Sequence, residues 1–129
     1  MHCPRALRSD TDGNLYTTSL HVVNSAVLKL GKLARATKVY RGISKKTLPR
    51  SMMYDDLASN TRGGIEFGFT SCSKQKEEAV KYATAAKGKC NSTPILLEIE
   101  MGMIDRGADL SWLSQYPAEE EVLFPPLTG

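Results

Sequence analysis

Residues 116–126 read Tyr116-Pro117-Ala118-Glu119-Glu120-Glu121-Val122-Leu123-Phe124-Pro125-Pro126. Three carboxylates run straight into an apolar β-forming segment, which two prolines then stop. A charge run alone describes a solvated edge. Glu121 abuts the segment predicted to be buried, so it cannot be wholly solvated. Glu119 and Glu121 are two apart and share a side of an extended chain, while Glu120 turns away. Two carboxylates on one face at the mouth of a core suit glycosyl-transfer chemistry, where one group meets the sugar and the other handles the nucleophile.

Other strands read outward from this one. Lys38-Val39-Tyr40-Arg41-Gly42-Ile43 is β-branched and aromatic, with Val39, Arg41 and Ile43 on one face. If that face is the core side, Arg41 must meet an anion there, because an unpaired buried charge is very costly. Residues 65–71 alternate, with Ile65, Phe67 and Phe69 on one side, and predict a second strand. A third covers 94–101, with Ile95, Leu97 and Ile99 together; 121–124 is the fourth. Residues 102–116 read as a connection with a helical turn near Leu110–Leu113. Leu20, Val23, Val27, Leu30 and Ala34 form one face of an amphipathic helix capped by Thr17, Thr18 or Ser19, with Gly31 as a packing glycine or an early end. Ser73 is expected to open a second helix over 74–86, with Ala79, Tyr82, Ala83 and Ala86 as its stripe and Gly88 as its stop. A helical turn near Met52–Leu57 and a loose terminus over 1–14 complete the reading. A helix followed by strands dispersed among loops gives the class α+β.

Bulk properties set the limits. The chain has 129 residues, 41% hydrophobic and 24% charged, which suits one globular domain and excludes a disordered or low-complexity chain. The net charge of +3 carries no basic stripe, so nucleic acid is not the expected partner. No stretch approaches the roughly 18 apolar residues of a membrane span, so no membrane partner is expected. Cys3, Cys72 and Cys90 lack the short spacing of a zinc site, and His2 and His21 add no ligand motif, so no metal is expected. An odd cysteine count and no signal-peptide core near Met1 favour an intracellular, cytoplasmic compartment without fixing it. No G-x-G-x-x-G or P-loop motif is present.

Tyr40-Arg41-Gly42, then Phe69-Thr70-Ser71-Cys72-Ser73, then Glu119-Glu120-Glu121-Val122-Leu123-Phe124 resembles the Arg–Ser–Glu signature of the arginine-directed mono-ADP-ribosyltransferases. Asp105-Arg106-Gly107-Ala108-Asp109, followed by Ser114-Gln115-Tyr116-Pro117, is similar to intracellular members of that family. The resemblance spans roughly residues 39–129 and implies an ADP-ribosyltransferase-like fold. That fold has an N-terminal helix and a mixed or antiparallel two-sheet core, here forming a single catalytic domain with its core in 15–129. A further strand normally follows 124–129, so the chain reads as either a fragment or a domain with a raw sheet edge.

The implied activity moves ADP-ribose from NAD, the co-substrate, to an exposed arginine of a protein acceptor, with release of nicotinamide. The resemblance makes Arg41, Ser71, Glu119 and Glu121 the catalytic set, and Arg41, Gly42, Ser71 and Glu121 the NAD contacts. Arg41 would hold pyrophosphate oxygens with its planar fork, and Gly42 would let backbone approach the nicotinamide amide. Ser71 would bond the ribose and hold Glu121, which would bond the ribose 2′-hydroxyl and stabilise an oxocarbenium-like transition state. Glu119, with Gln115 and Tyr116, would meet the acceptor, and Glu119 would orient or deprotonate its guanidinium. Trp112 belongs to the same loop. Cys72 stands where the family usually has threonine and by alternation points away from the ligand. Water as acceptor, making an NAD glycohydrolase, and a non-catalytic NAD- or protein-binding module are the competing readings.

Overall fold

The change of period at Thr17 becomes helix α1, Thr17–Gly31. The computed structural model describes residues 16–35, 37–44, 47–48, 52, 54, 63–85 and 93–129. The terminus over 1–14, Cys3, Cys90, Gly88 and most of the turn near Met52–Leu57 lie outside the described residues. The N-cap position falls on Tyr16, at φ 48°, so Thr17, Thr18 and Ser19 sit inside the first turn and do not cap it. Val27 and Gly31 are buried, whereas Val23 of the expected stripe is exposed. The helix ends at Gly31, short of Ala34, and Gly31 is also a packing glycine. A Cβ at Gly31 would stand 3.0 Å from the Arg106 carbonyl oxygen. Arg106 also fixes the chain leaving the helix: its Nη1 donates to the Ala34 carbonyl at 2.7 Å and its Nε to that of Met103 at 2.8 Å.

Five strands follow: β1, Lys38–Ile43; β2, Thr70–Ser73; β3, Ile95–Glu100; β4, Ala108–Asp109; and β5, Glu121–Phe124. They form an antiparallel sheet in the order β3-β1-β2-β5-β4. β1 and β3 pair along their full length, and so do β2 and β5. β1 meets β2 through one pair only, Tyr40 opposite Ser73. The sheet therefore consists of two halves joined at a point, which reconciles one continuous order with the expected two-sheet core.

β2 lies later than the alternation of 65–71 predicted, and its partner explains the shift. The ladder with β5 ends at Thr70 opposite Phe124. The next partners would be Pro125 and Pro126, which have no N–H to donate. Past them the same register resumes as an isolated bridge, Glu66 to Thr128. Phe67 is left exposed and Phe69 packs into the core. β4 was not foreseen, because two residues are too short to show a period. Gly107 before it is obligatory by packing, since a Cβ there would stand 2.5 Å from Val122 Cγ1 and 3.2 Å from the Leu123 carbonyl oxygen.

Helix α2, Lys76–Thr84, starts later than expected, with Gln75 at its N-cap position. Ser73 ends β2 instead of opening the helix. Its Oγ accepts from Gln75 N–H at 2.9 Å and donates to the Glu119 carbonyl at 2.6 Å. Glu77 and Glu78 in the first turn suit the positive end of the helix dipole. Ala79 and Ala83 are buried, but Tyr82, expected in the same stripe, is exposed.

Each face of the sheet carries a core. On one face Val39, Cys72, Met101, Val122 and Phe124 pack with Ile99. On the other, Leu123 and Ala108 pack under Val27 and Leu30 of α1. Burial raises the Cys72 thiol to about 11, against the opposing charge of Arg41, so it behaves as a small hydrophobe. Lys74 Nζ donates to Asp109 Oδ2 at 2.6 Å, tying the end of β2 to the edge strand β4.

Two predictions follow from this packing. At Gly42 a Cβ would stand 1.9 Å from the Ala79 carbonyl oxygen and 2.7 Å from Ala83 N, both backbone atoms of α2. Gly42→Ala should therefore cost about 2–3 kcal/mol in denaturant unfolding, whereas Gly102→Ala, where nothing lies within 4 Å, should cost far less. A Gly42→Ala chain as stable as the parent would refute the close contact. The second concerns Asp109. Partial burial raises its carboxyl, but hydrogen bonds from Lys74 and Ser111 and the Lys74 charge outweigh that and hold it at about 2. The unfolded value is about 3.9, so this stabilisation is complete above about pH 4 and is lost as pH falls toward 2. The pair is partly exposed, which limits it to about 1 kcal/mol. The stability gap between the parent and Asp109→Asn should close across that window, and a gap that ignores pH would exclude the linkage.

Candidate functional site

Beyond the single Tyr40–Ser73 pair, no further pairing joins β1 to β2. A cleft of about 610 Å³ is lined from both strands, a size usual for small-molecule and cofactor sites. Arg41 and Gly42 of β1, Ser71 of β2, Gln115, Tyr116 and Glu119 of the loop before β5, and Glu121 of β5 all line it. The structure therefore gathers all seven residues singled out from the sequence. Trp112, on the same loop, stands in solvent and is not part of the lining.

Glu121 is the best-fixed carboxylate of the cleft. It is half-buried at the start of β5, and its Oε1 accepts a hydrogen bond from Ser71 Oγ at 2.7 Å. Its carbonyl accepts Leu110 N–H at 2.8 Å, which holds the incoming loop against the strand. Ser71 is thus the partner of a carboxylate, while Ser73 holds the Gln75 N–H at the turn from β2 into α2.

Glu119 and Glu121 share the cleft for a reason different from the one predicted. The chain is not extended there. Pro117–Glu119 form a 3-10 turn, and Glu120 is left-handed at φ 43°. Such a backbone in a non-glycine residue costs about 1–2 kcal/mol. It is held by Glu120 N–H donating to the Pro117 carbonyl at 3.1 Å and by Lys74 N–H donating to the Glu120 carbonyl at 3.2 Å. The Glu120 carboxylate accepts from Gln75 Nε2, so Glu120 does turn away from its neighbours. Strain of this kind concentrates at functional sites.

Arg41 is half-buried and alternates onto the face of the fully buried Val39. Among the described residues no carboxylate pairs with its guanidinium. A cation so placed is available to an anion entering the cleft. Gly42 has a structural duty as well, because α2 lies on it. Sequence reasoning did not assign Tyr82 to the site. Its hydroxyl donates to Glu119 Oε1 at 2.9 Å and is raised by that bond first, then by burial and the neighbouring glutamate charges. A tyrosine beside two helix alanines looks like core in a sequence, and only the depth of the helix on the sheet leaves its tip in the cleft.

The family model for the ADP-ribosyltransferase exoenzyme matches residues 6–128. Among solved structures, the ADP-ribosyltransferase HopU1 of Pseudomonas syringae pv. Tomato DC3000 is similar, at 25% identity and a TM-score of 0.64. That likeness covers 95% of this chain and 53% of HopU1, so the chain spans about half the length of that protein. No curated protein matches the chain. With its N-terminal helix, its antiparallel sheet and a family match running over nearly its whole length, the chain belongs to the ADP-ribosyltransferase exoenzyme family.

Proposed function

We propose that the cleft binds NAD and that the chain transfers ADP-ribose to an arginine side chain of a protein, with release of nicotinamide. The observation that carries this reading is the Ser71–Glu121 hydrogen bond at 2.7 Å in the cleft that Arg41 and Glu119 also line. NAD supplies the glycosidic bond to be broken and a leaving group that departs neutral. The chain supplies charge and position. Arg41 holds phosphate oxygens through its planar fork, which satisfies a half-buried cation that has no described carboxylate partner.

Ser71 fixes one oxygen of Glu121, and the carboxylate then stands where positive charge develops on the ribose. Gly42 lines the cleft, and its backbone groups receive the nicotinamide amide, while the space a side chain would take belongs to α2. A carboxylate matches a guanidinium in shape and charge, so Glu119 orients the acceptor arginine and takes its proton as the new bond forms. Gln115 and Tyr116 line the cleft with Glu119, and with Trp112 of the same loop they meet the protein that carries the arginine.

Nicotinamide release from NAD, measured with and without a small guanidine such as agmatine, tests the proposal. Release should rise with the guanidine. Glu121→Gln should lower it by about 10²–10³-fold, and Glu119→Ala should remove the guanidine-dependent increment. Release indifferent to guanidine would assign NAD hydrolysis instead, and a folded chain that binds NAD without releasing nicotinamide would make it a binding module.

A further inference from the structure

We propose that Tyr82 is a positioning residue for Glu119, and that its hydroxyl sets how well the cleft uses an arginine acceptor. The proposal rests on the reading of the cleft given above and deepens it. Tyr82 Oη donates to Glu119 Oε1 at 2.9 Å, across 37 residues of sequence. Among the described residues no other side chain donates to the Glu119 carboxylate, whereas Glu121 is held by Ser71 and Glu120 by Gln75.

The two ends of this bond are both set by backbone. Tyr82 is carried by α2, which cannot drift from β1 because Ala79 and Ala83 close on Gly42. Glu119 closes the 3-10 turn that precedes left-handed Glu120. A glutamate side chain at that turn has free torsions, and a donor on a rigid helix removes that freedom. One oxygen is then engaged and the other is left for the guanidinium. Lys81, next to Tyr82 on α2, is hydrogen-bonded to Glu78 and meets Glu119 only through its charge.

Tyr82 is 54% exposed, so its ring is not a core element, and Tyr82→Phe removes the hydroxyl alone. The test compares nicotinamide release by the parent, Tyr82→Phe, Glu119→Ala and the double variant over a range of agmatine, with thermal melting of each. The ratio of guanidine-dependent to guanidine-free release should fall about fivefold to tenfold in Tyr82→Phe. The loss should appear in kcat/KM for agmatine and not in KM for NAD, with an unchanged melting temperature. On a Glu119→Ala background the second change should add nothing, because the two residues act as one unit. A parental ratio in Tyr82→Phe, or additive losses, would overturn the proposal while leaving the function of the cleft intact. A parent chain with no guanidine-dependent release, or a Glu119→Ala chain that retains it, would instead refute the reading of the cleft and this inference with it.

Discussion

Helix α2 lies on strand β1 with no room for one carbon atom between them at Gly42. Much of the cleft depends on that contact. It needs small residues on the helix side, and Ala79 and Ala83 provide them. It sets the height of Tyr82 above the sheet. It also leaves β1 bound to β3 along its whole length and to α2 on one face, so β1 can part from β2 after a single pair. Two walls result. One is β1 with α2, the other β2 with β5, and the cleft is lined by both.

The carboxylates at the mouth of the cleft pose an electrostatic problem, since three glutamates in succession repel one another. The fold answers it one residue at a time. Ser71 on β2 donates to Glu121, Gln75 at the start of α2 to Glu120, and Tyr82 within α2 to Glu119. Left-handed Glu120 makes this separation possible by directing the middle carboxylate away from its neighbours. The local backbone cost is thus offset by three hydrogen bonds to ionised acceptors, each stronger than a neutral one. A run that reads as a solvated edge in sequence is a set of individually anchored groups in space.

What the sequence made legible follows from how far each signal reaches. β3 was visible from apolar residues recurring two apart, β1 from its β-branched and aromatic residues, and β5 as an apolar run stopped by two prolines. β4 has two residues and no alternation to show. The position of β2 depends on Pro125 and Pro126, more than fifty residues away, and no local window contains them. The need for glycine at Gly31 likewise comes from the distant Arg106 carbonyl. The residues singled out as candidates stand mostly in three short motifs, and one cleft is lined by them. Tyr82 was not, because its role comes from the depth of α2 on the sheet and not from its neighbours in the chain.

Two arginines show how the same side chain serves opposite ends. Arg106 spends its guanidinium on the carbonyls of Ala34 and Met103 and so closes the turn after α1. Its donors are occupied by the chain itself, and it has no reason to wait for a ligand. Arg41 is buried to a similar class but sits between β-branched neighbours on a strand whose Val39 is fully enclosed. The Arg41 charge acts on the buried Cys72 thiol, which supplies no counter-charge at neutral pH because burial raises it to about 11. Desolvating a guanidinium without a counter-ion is costly, and folding alone offers no return for it here. An anion arriving from solution removes that cost on binding. Arg41 thus costs the fold something that an anion in the cleft would return, and that asymmetry is the physical ground for the phosphate-holding role proposed for it.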